Sequence, residues 1–184
     1  MANICSFSML VNGTHENIEK FYKAMSQDGD IWMGRGAEAE IQYDDDYDGE
    51  GNDRANIDGW CKWSIQSALY DNAISMRVKP EMWYFGNVDN AKLEFITFVE
   101  ASKKWNLEVE IFSEESGCCF QEHYIVRKGI VELDECVEWC EYYLDDYDTK
   151  EEAEEELGIY ITDEEWERHG YIQRGGFGVW EFEI

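Results

Sequence analysis

Proline is nearly absent from this chain of 184 residues, with Pro80 the only one, and no Pro-rich linker divides it. Bases are scarce as well: 15 Lys and Arg stand against 42 Asp and Glu, a net charge of −27. That shortage argues against direct binding to bare DNA, RNA or anionic membrane, because phosphate contacts need Lys and Arg. No stretch approaches the roughly 18 consecutive apolar residues of a membrane span. The opening MANICSFSML has neither a basic n-region nor a long apolar run, so no signal peptide is expected. P-loop, dinucleotide, HExxH and G-x-S-x-G patterns are all missing. No internal repeat is visible.

What is present describes a folded protein. Hydrophobic residues make up 44% and aromatics 15%, whereas disordered acidic tails are poor in aromatics. The length fits one domain, or one domain with an appended lobe. Without a leader, the protein is expected in a cytosol, with Cys5, Cys61, Cys118, Cys119, Cys136 and Cys140 as reduced thiols.

Hydrophobic periodicity gives an order of elements. Residues 3–11 read as a strand and 14–27 as a helix with Ile18, Phe21, Tyr22 and Met25 on one face. Short strands are expected at 39–43, 60–65 and 74–78, and a helix capped by Asp89 over 90–104. Alternation at Leu107, Val109 and Ile111 marks a strand with Glu108 and Glu110 facing outward, followed by strands over 118–126 and at 130–131. Helices are expected over 134–144, 148–157 and 163–169, the last with a capping box from Thr162 to Glu165, and a final strand over 179–184. This order suits an α+β fold of the ferredoxin-like, split βαβ class: an antiparallel sheet, two helices on one face and an acidic helical insertion. The expected organisation is a core over 1–132, an acidic helical lobe over 133–170, and a last strand in 171–184 returning to the core.

The opening Ala2-Asn3-Ile4-Cys5-Ser6, followed by a strand and a helix, resembles the start of the YubB ferredoxin-like family. Gly59-Trp60-Cys61-Lys62-Trp63 is similar to that family's mid-chain segment, and the order of elements from Leu93 to Ile111 agrees. The resemblance spans residues 2–132. It implies a plasmid or phage protein with a ferredoxin-like sheet, and it transfers no catalytic residue.

Residues 134–167 hold 16 acids and one base, Lys150, in 34 positions. On helices, residues three and four apart sit about 5–6 Å from each other at Cβ, and phosphates recur every 3.4 Å or so along a duplex strand. Rows of carboxylates can therefore imitate a phosphate track. Glu138, Glu141, Asp145, Asp146, Asp148, Glu151, Glu152, Glu155 and Glu156 are the candidate partner-binding residues. Trp139, Tyr142, Tyr143, Tyr147 and Trp166 are interleaved as potential anchors. The plain alternative is a solvated acidic face.

Lesser candidates follow. Asp44-x-Asp46-x-Asp48-Gly49 matches the first half of a calcium loop, so Asp44, Asp46 and Asp48 are the candidate ligands of Ca²⁺ or Mg²⁺, although position twelve is Ala55 rather than Glu. Cys118, Cys119, Cys136 and Cys140 offer an imperfect zinc spacing. Cys119 with His123 offers a nucleophile and a base on one strand face. Arg168, Arg174 and the glycines of 175–178 offer a small anion nest, while His15 and His169 read as surface residues.

Three functions fit. The first is non-catalytic: a phage- or mobile-element-encoded inhibitor of a host defence nuclease, of anti-CRISPR type. Its acidic face would enter the basic guide-RNA or DNA channel of a nucleic-acid-binding host protein such as a CRISPR effector. The second is a metal-dependent nuclease or hydrolase built on the 44–53 loop. The third is a mobile-element adaptor without catalysis. The first is the main expectation, with no required cofactor and the oligomeric state open.

Overall fold

The computed structural model describes residues 4–34, 36–44, 53–70 and 94–184. Strand β1 (Ile4–Gly13) alternates so that Cys5, Phe7, Met9 and Val11 are buried on one face. It lies inside the sheet, antiparallel to β4 (Asp53–Lys62) on one side and β6 (Glu108–Glu115) on the other. β3 (Ala37–Tyr43) extends the sheet beyond β4. β7 (Phe120–Arg127), β8 (Ile130–Tyr143) and β9 (Tyr171–Gly175) extend it beyond β6. The order is β3-β4-β1-β6-β7-β8-β9, with every neighbouring pair antiparallel. A parallel pair, β2 (Ile31–Met33) and β5 (Glu94–Ile96), stands apart.

Helices α1 (His15–Met25) and α2 (Phe98–Trp105) cover one face of the large sheet. Ile18, Phe21 and Met25 of α1 and Phe98, Ala101 and Trp105 of α2 pack on Met9, Ile57, Val109, Ile111 and Tyr124. Thr97 and Glu100 form a reciprocal capping box on α2, and Asn106 ends it in the left-handed region at φ 53°. That box explains a difference from the expected 90–104 helix: the helix begins at Phe98, because the residues before the cap form β5. The expected strand at 74–78 and the Asp89 cap lie outside the described residues.

The α+β class and the antiparallel sheet are observed, and with seven strands the sheet is wider than a four-stranded split βαβ unit. Two segments differ from expectation. Residues 134–144 are not helical but form most of β8. Leu133, Val137, Cys140 and Leu144 recur at four, three and four, which suits a helix, but a spacing of four also fits a strand. Pairing decides between them, because Gln121 to Ile125 of β7 supply a waiting edge for Leu133 to Val137. The second difference is at the end of the chain. The pairing strand is β9, at 171–175, and residues 179–184, where the final strand was expected, join no ladder. They cross the sheet face opposite α1 and α2 as a strap.

Candidate functional site

β8 changes partners at Trp139. Its residues through Glu138 pair with β7, and those from Trp139 pair with β9. Beyond this joint, α3 (Lys150–Leu157) and α4 (Asp163–Arg168) close a second small core of Leu144, Ala153, Ile161 and Ile172. An eight-residue helix is marginal on its own. α3 is held by the Thr149 hydroxyl, which accepts the Glu152 N–H at 3.2 Å, by a left-handed Gly158, and by buried Ala153. Glu154 accepts the Ile161 N–H at 2.9 Å, tying the helix to the segment that follows it.

Arg174 of β9 staples the lobe. Its guanidinium donates to both carboxylate oxygens of Glu165, at 2.8 and 3.0 Å, and to the Tyr160 carbonyl at 3.0 Å. Arg174 is therefore committed to structure and is not free for the candidate anion nest. The Arg174 hydrogen bonds, with help from the Thr162 N–H, hold the Glu165 carboxyl down at about 2. A depressed folded-state value means that the stabilisation is present above the ordinary carboxylate range near 4.5 and is lost as pH falls from there toward 2. Amide protection in α4 and β9, taken relative to the intrinsic exchange rate at each pH, is expected to fall across that window, and Glu165→Gln should flatten the response. An unchanged pH profile in that variant would show that Glu165 is not the group responsible.

The candidate partner-binding acids separate into two groups. Glu138 and Glu141, three apart on a strand instead of a helix, face opposite sides of β8. Glu141 accepts from Gln173, its cross-strand neighbour, at 3.0 Å. Asp145 accepts the Gly170 N–H at 2.9 Å and lies 3.8 Å from His169. The second group is Asp146, Asp148, Glu151, Glu152, Glu155 and Glu156, all exposed. Among the described residues, no hydrogen bond or ion pair engages the side-chain carboxylate of any of these six. Several converge in space, because burial and then the charges of Glu156, Asp146 and Glu152 together hold the Tyr147 phenol above its ordinary range. Of the interleaved aromatics, Trp139 is buried while Tyr143 is exposed and faces the exposed Tyr171 across β8 and β9 at 6.2 Å.

Among the described residues three carboxylates, Glu110, Glu115 and Glu122, are buried without the sequence having announced it, and two of them anchor distant segments. Glu110 is fully buried. One oxygen meets His123 Nε2 at 2.9 Å, and the other accepts the N–H groups of Glu183 and Ile184 at 2.6 and 3.1 Å. The His123 ring stacks on Phe112 at 3.8 Å, and Phe112 is in turn covered by Phe177, Trp180 and Phe182 of the strap. Gln121 accepts the Phe177 N–H and Arg54 donates to the Ile184 carbonyl, both at 2.8 Å. On the opposite face, Glu122 accepts four hydrogen bonds. The Ile65 N–H and Ser113 hydroxyl reach one oxygen at 2.7 and 2.9 Å, and the Gln66 N–H and Tyr124 hydroxyl reach the other at 3.3 and 3.1 Å. It thereby seats the π-helical turn at Gln66–Tyr70.

These contacts dispose of the Cys119–His123 pair. His123 is engaged by Glu110 under the strap, whereas Cys119 lies in the turn before β7 and contacts Cys140. Cys136 sits opposite Glu122, so the four cysteines do not gather. No group of three or more His, Cys, Asp or Glu able to hold a metal occurs among the described residues. Of the candidate calcium loop, Asp44 closes the β3–β4 hairpin through its N–H to the Arg54 carbonyl at 3.0 Å. Asp46 and Asp48 lie outside the described residues. His15 is exposed, as expected, and there it bonds Asp53 at 2.6 Å and stacks on Tyr43 at 4.5 Å. Among the described residues no helix is long and apolar enough to cross a membrane. No protein-family model, curated protein or solved structure matches the chain.

Proposed function

We propose that this chain is an inhibitor that presents carboxylates in place of phosphates to the basic channel of a nucleic-acid-binding protein, the fitting target being a host defence nuclease such as a CRISPR effector. The observation that carries this reading is the placement of acids on α3. Glu151 and Glu152 at its N-terminus complement the helix dipole, but Glu155 and Glu156 sit in the last turn, where negative charge is unfavourable, and no base occupies that turn. Glu151–Glu155 and Glu152–Glu156 are also like-charge i,i+4 pairs. Each choice works against the helix, and a charge needed only for solubility could be placed without that penalty. A basic partner would relieve the repulsion on binding.

The order β3-β4-β1-β6, with α1 and α2 on one face, supports reading that part of the sheet as a ferredoxin-like split βαβ unit. β7, β8 and β9 then carry the acidic lobe outward from it. The resemblance of residues 2–132 to the YubB family supplies the mobile-element setting.

The test is capture from bacterial lysate on the full-length protein, washed at physiological salt. A basic nucleic-acid-processing enzyme is expected to remain bound and to release when its own nucleic acid is added. Combining Glu151→Lys, Glu152→Lys, Glu155→Lys and Glu156→Lys should weaken that retention on the order of a hundredfold or more, since each reversal replaces attraction by repulsion. Circular dichroism should show the fold unchanged. Retention that survives the reversal would refute phosphate mimicry by α3. Loss of all binding to wild type at physiological salt would refute a specific partner.

A further inference from the structure

The joint where β8 passes from β7 to β9 carries a pair of thiols that the proposed inhibitor role does not use. The Cys119 carbonyl accepts the Trp139 N–H at 2.9 Å, which sets Cys119 beside β8, one residue from Cys140. The Cys140 side chain is the largest influence on the Cys119 thiol, so the two side chains lie near each other. Cys119 is held in the left-handed region at φ 58°, with its thiol directed to the Ser116 carbonyl at 3.6 Å. Both cysteines are partly exposed, so a small reagent can reach them. Cys119 stands opposite Trp139, and with strands about 5 Å apart and successive residues about 3.4 Å apart, the next residue, Cys140, is a diagonal neighbour roughly 6 Å away, within the span that a disulfide bridges. Cys5 and Cys61 also stand opposite each other, on β1 and β4, but at 0% and 2% exposure they are closed to an external oxidant.

We propose that Cys119 and Cys140 are a redox modification site that forms a reversible disulfide with a small-molecule disulfide, such as glutathione disulfide, as oxidant. One of the two thiolates attacks a sulfur of the oxidant, breaking its S–S bond and releasing one glutathione thiolate. The other thiolate then attacks the cysteine sulfur of the mixed disulfide, forming the protein S–S bond and releasing the second glutathione. The protein thiols lose two protons and two electrons, and one glutathione disulfide is reduced to two thiols. Contact with Cys140, reinforced by partial burial, pushes the Cys119 thiol up to about 11. Its thiolate is scarce at neutral pH, so the reaction accelerates as pH rises toward that value. The new bond fastens the β6–β7 turn to β8 where the core sheet hands over to the lobe, fixing the acidic lobe's base.

The test incubates the full-length protein with glutathione disulfide at mildly alkaline pH, blocks remaining thiols by alkylation, and maps the linkage by proteolysis and mass spectrometry. The expected product is a chain lighter by two hydrogens, with the Cys119 and Cys140 peptides joined, and with full reversal by dithiothreitol. Cys119→Ser and Cys140→Ser should each abolish it, while Cys118→Ser and Cys5→Ser leave it intact. A linkage that instead uses Cys118 or joins Cys5 to Cys61 would overturn the proposal, as would glutathione adducts that never resolve. Wild-type mapping gives the answer even where a serine variant fails to fold.

Discussion

Glu110→Ala is expected to lower the stability of the protein by about 3–5 kcal/mol, the sum expected when one buried and two half-buried donors lose their acceptor at roughly 1–3 kcal/mol each. The reason is that Glu110 has three partners: the buried His123 Nε2 and the N–H groups of Glu183 and Ile184 in the strap. Each becomes an unsatisfied buried or half-buried donor when the carboxylate is removed. For a domain of this length the loss corresponds to a fall in Tm on the order of 10 °C. The same variant should release the strap, so that amide protection at Glu183 and Ile184 disappears while that of β1 and β6 persists. Glu110→Gln keeps one acceptor oxygen and should lose roughly half as much. Thermal melts and hydrogen exchange decide the matter. A Glu110→Ala protein that melts with wild type and keeps its protection at 183 and 184 would mean that aromatic packing alone holds the strap.

The second large effect is expected at Glu122. Its carboxylate serves four donors from three separate parts of the chain, the residues entering the π-helical turn, β6 and β7 itself. Hydrogen bonds to a charged group contribute about 1.5–3 kcal/mol each, and they are not additive. Glu122→Ala should therefore cost at least about 4 kcal/mol and unseat residues 65–70 from the core. Glu122→Gln replaces one acceptor oxygen with a donor that faces other donors, so it should fall between wild type and alanine. Burial, followed by the Glu122 charge, drives the Tyr124 phenol far above its ordinary range. In the native protein Tyr124 is thus expected to stay protonated in alkali until unfolding, and the alkaline absorbance change of Glu122→Gln should begin at lower pH. Equal denaturant midpoints for wild type and Glu122→Ala would remove this carboxylate from the list of structural anchors.

Much of the architecture was legible in the chain, for reasons tied to particular residues. Alternation in β1 and β6 and the 3.6-residue spacing of Ile18, Phe21 and Met25 each admit one reading. Thr162 and Glu165 announce α4 through a local hydrogen-bond box that needs nothing distant. β8 was not legible, because Leu133 and Val137 fit both periods and the choice depends on β7. Glu110 was misread as outward for a related reason. It does point away from α1 and α2, but the strap that buries it comes from more than seventy residues later in the chain. The strap itself alternates like a strand, yet it supplies aromatic rings to Phe112 where a strand would supply a ladder. The acidic lobe was legible as charge but not as shape, since which acids share a face follows from β8 being extended.

The position of β1 between β4 and β6 also sets the order in which the protein can assemble. Ser8 lies beside Asp58, 50 residues away, and beside Phe112 of β6 on its other side. On a ribosome β1 must wait for β6 before both of its edges are satisfied. Such long closures slow folding. The lobe joins segments that lie close in sequence, as β8 and β9 do, and can form while the large sheet is still searching. The strap comes last, and its docking over Phe112 seals the sheet. A chain stopped short of Phe177 would therefore leave the synthesis machinery with an aromatic sheet face open, the state most exposed to chaperones and proteases.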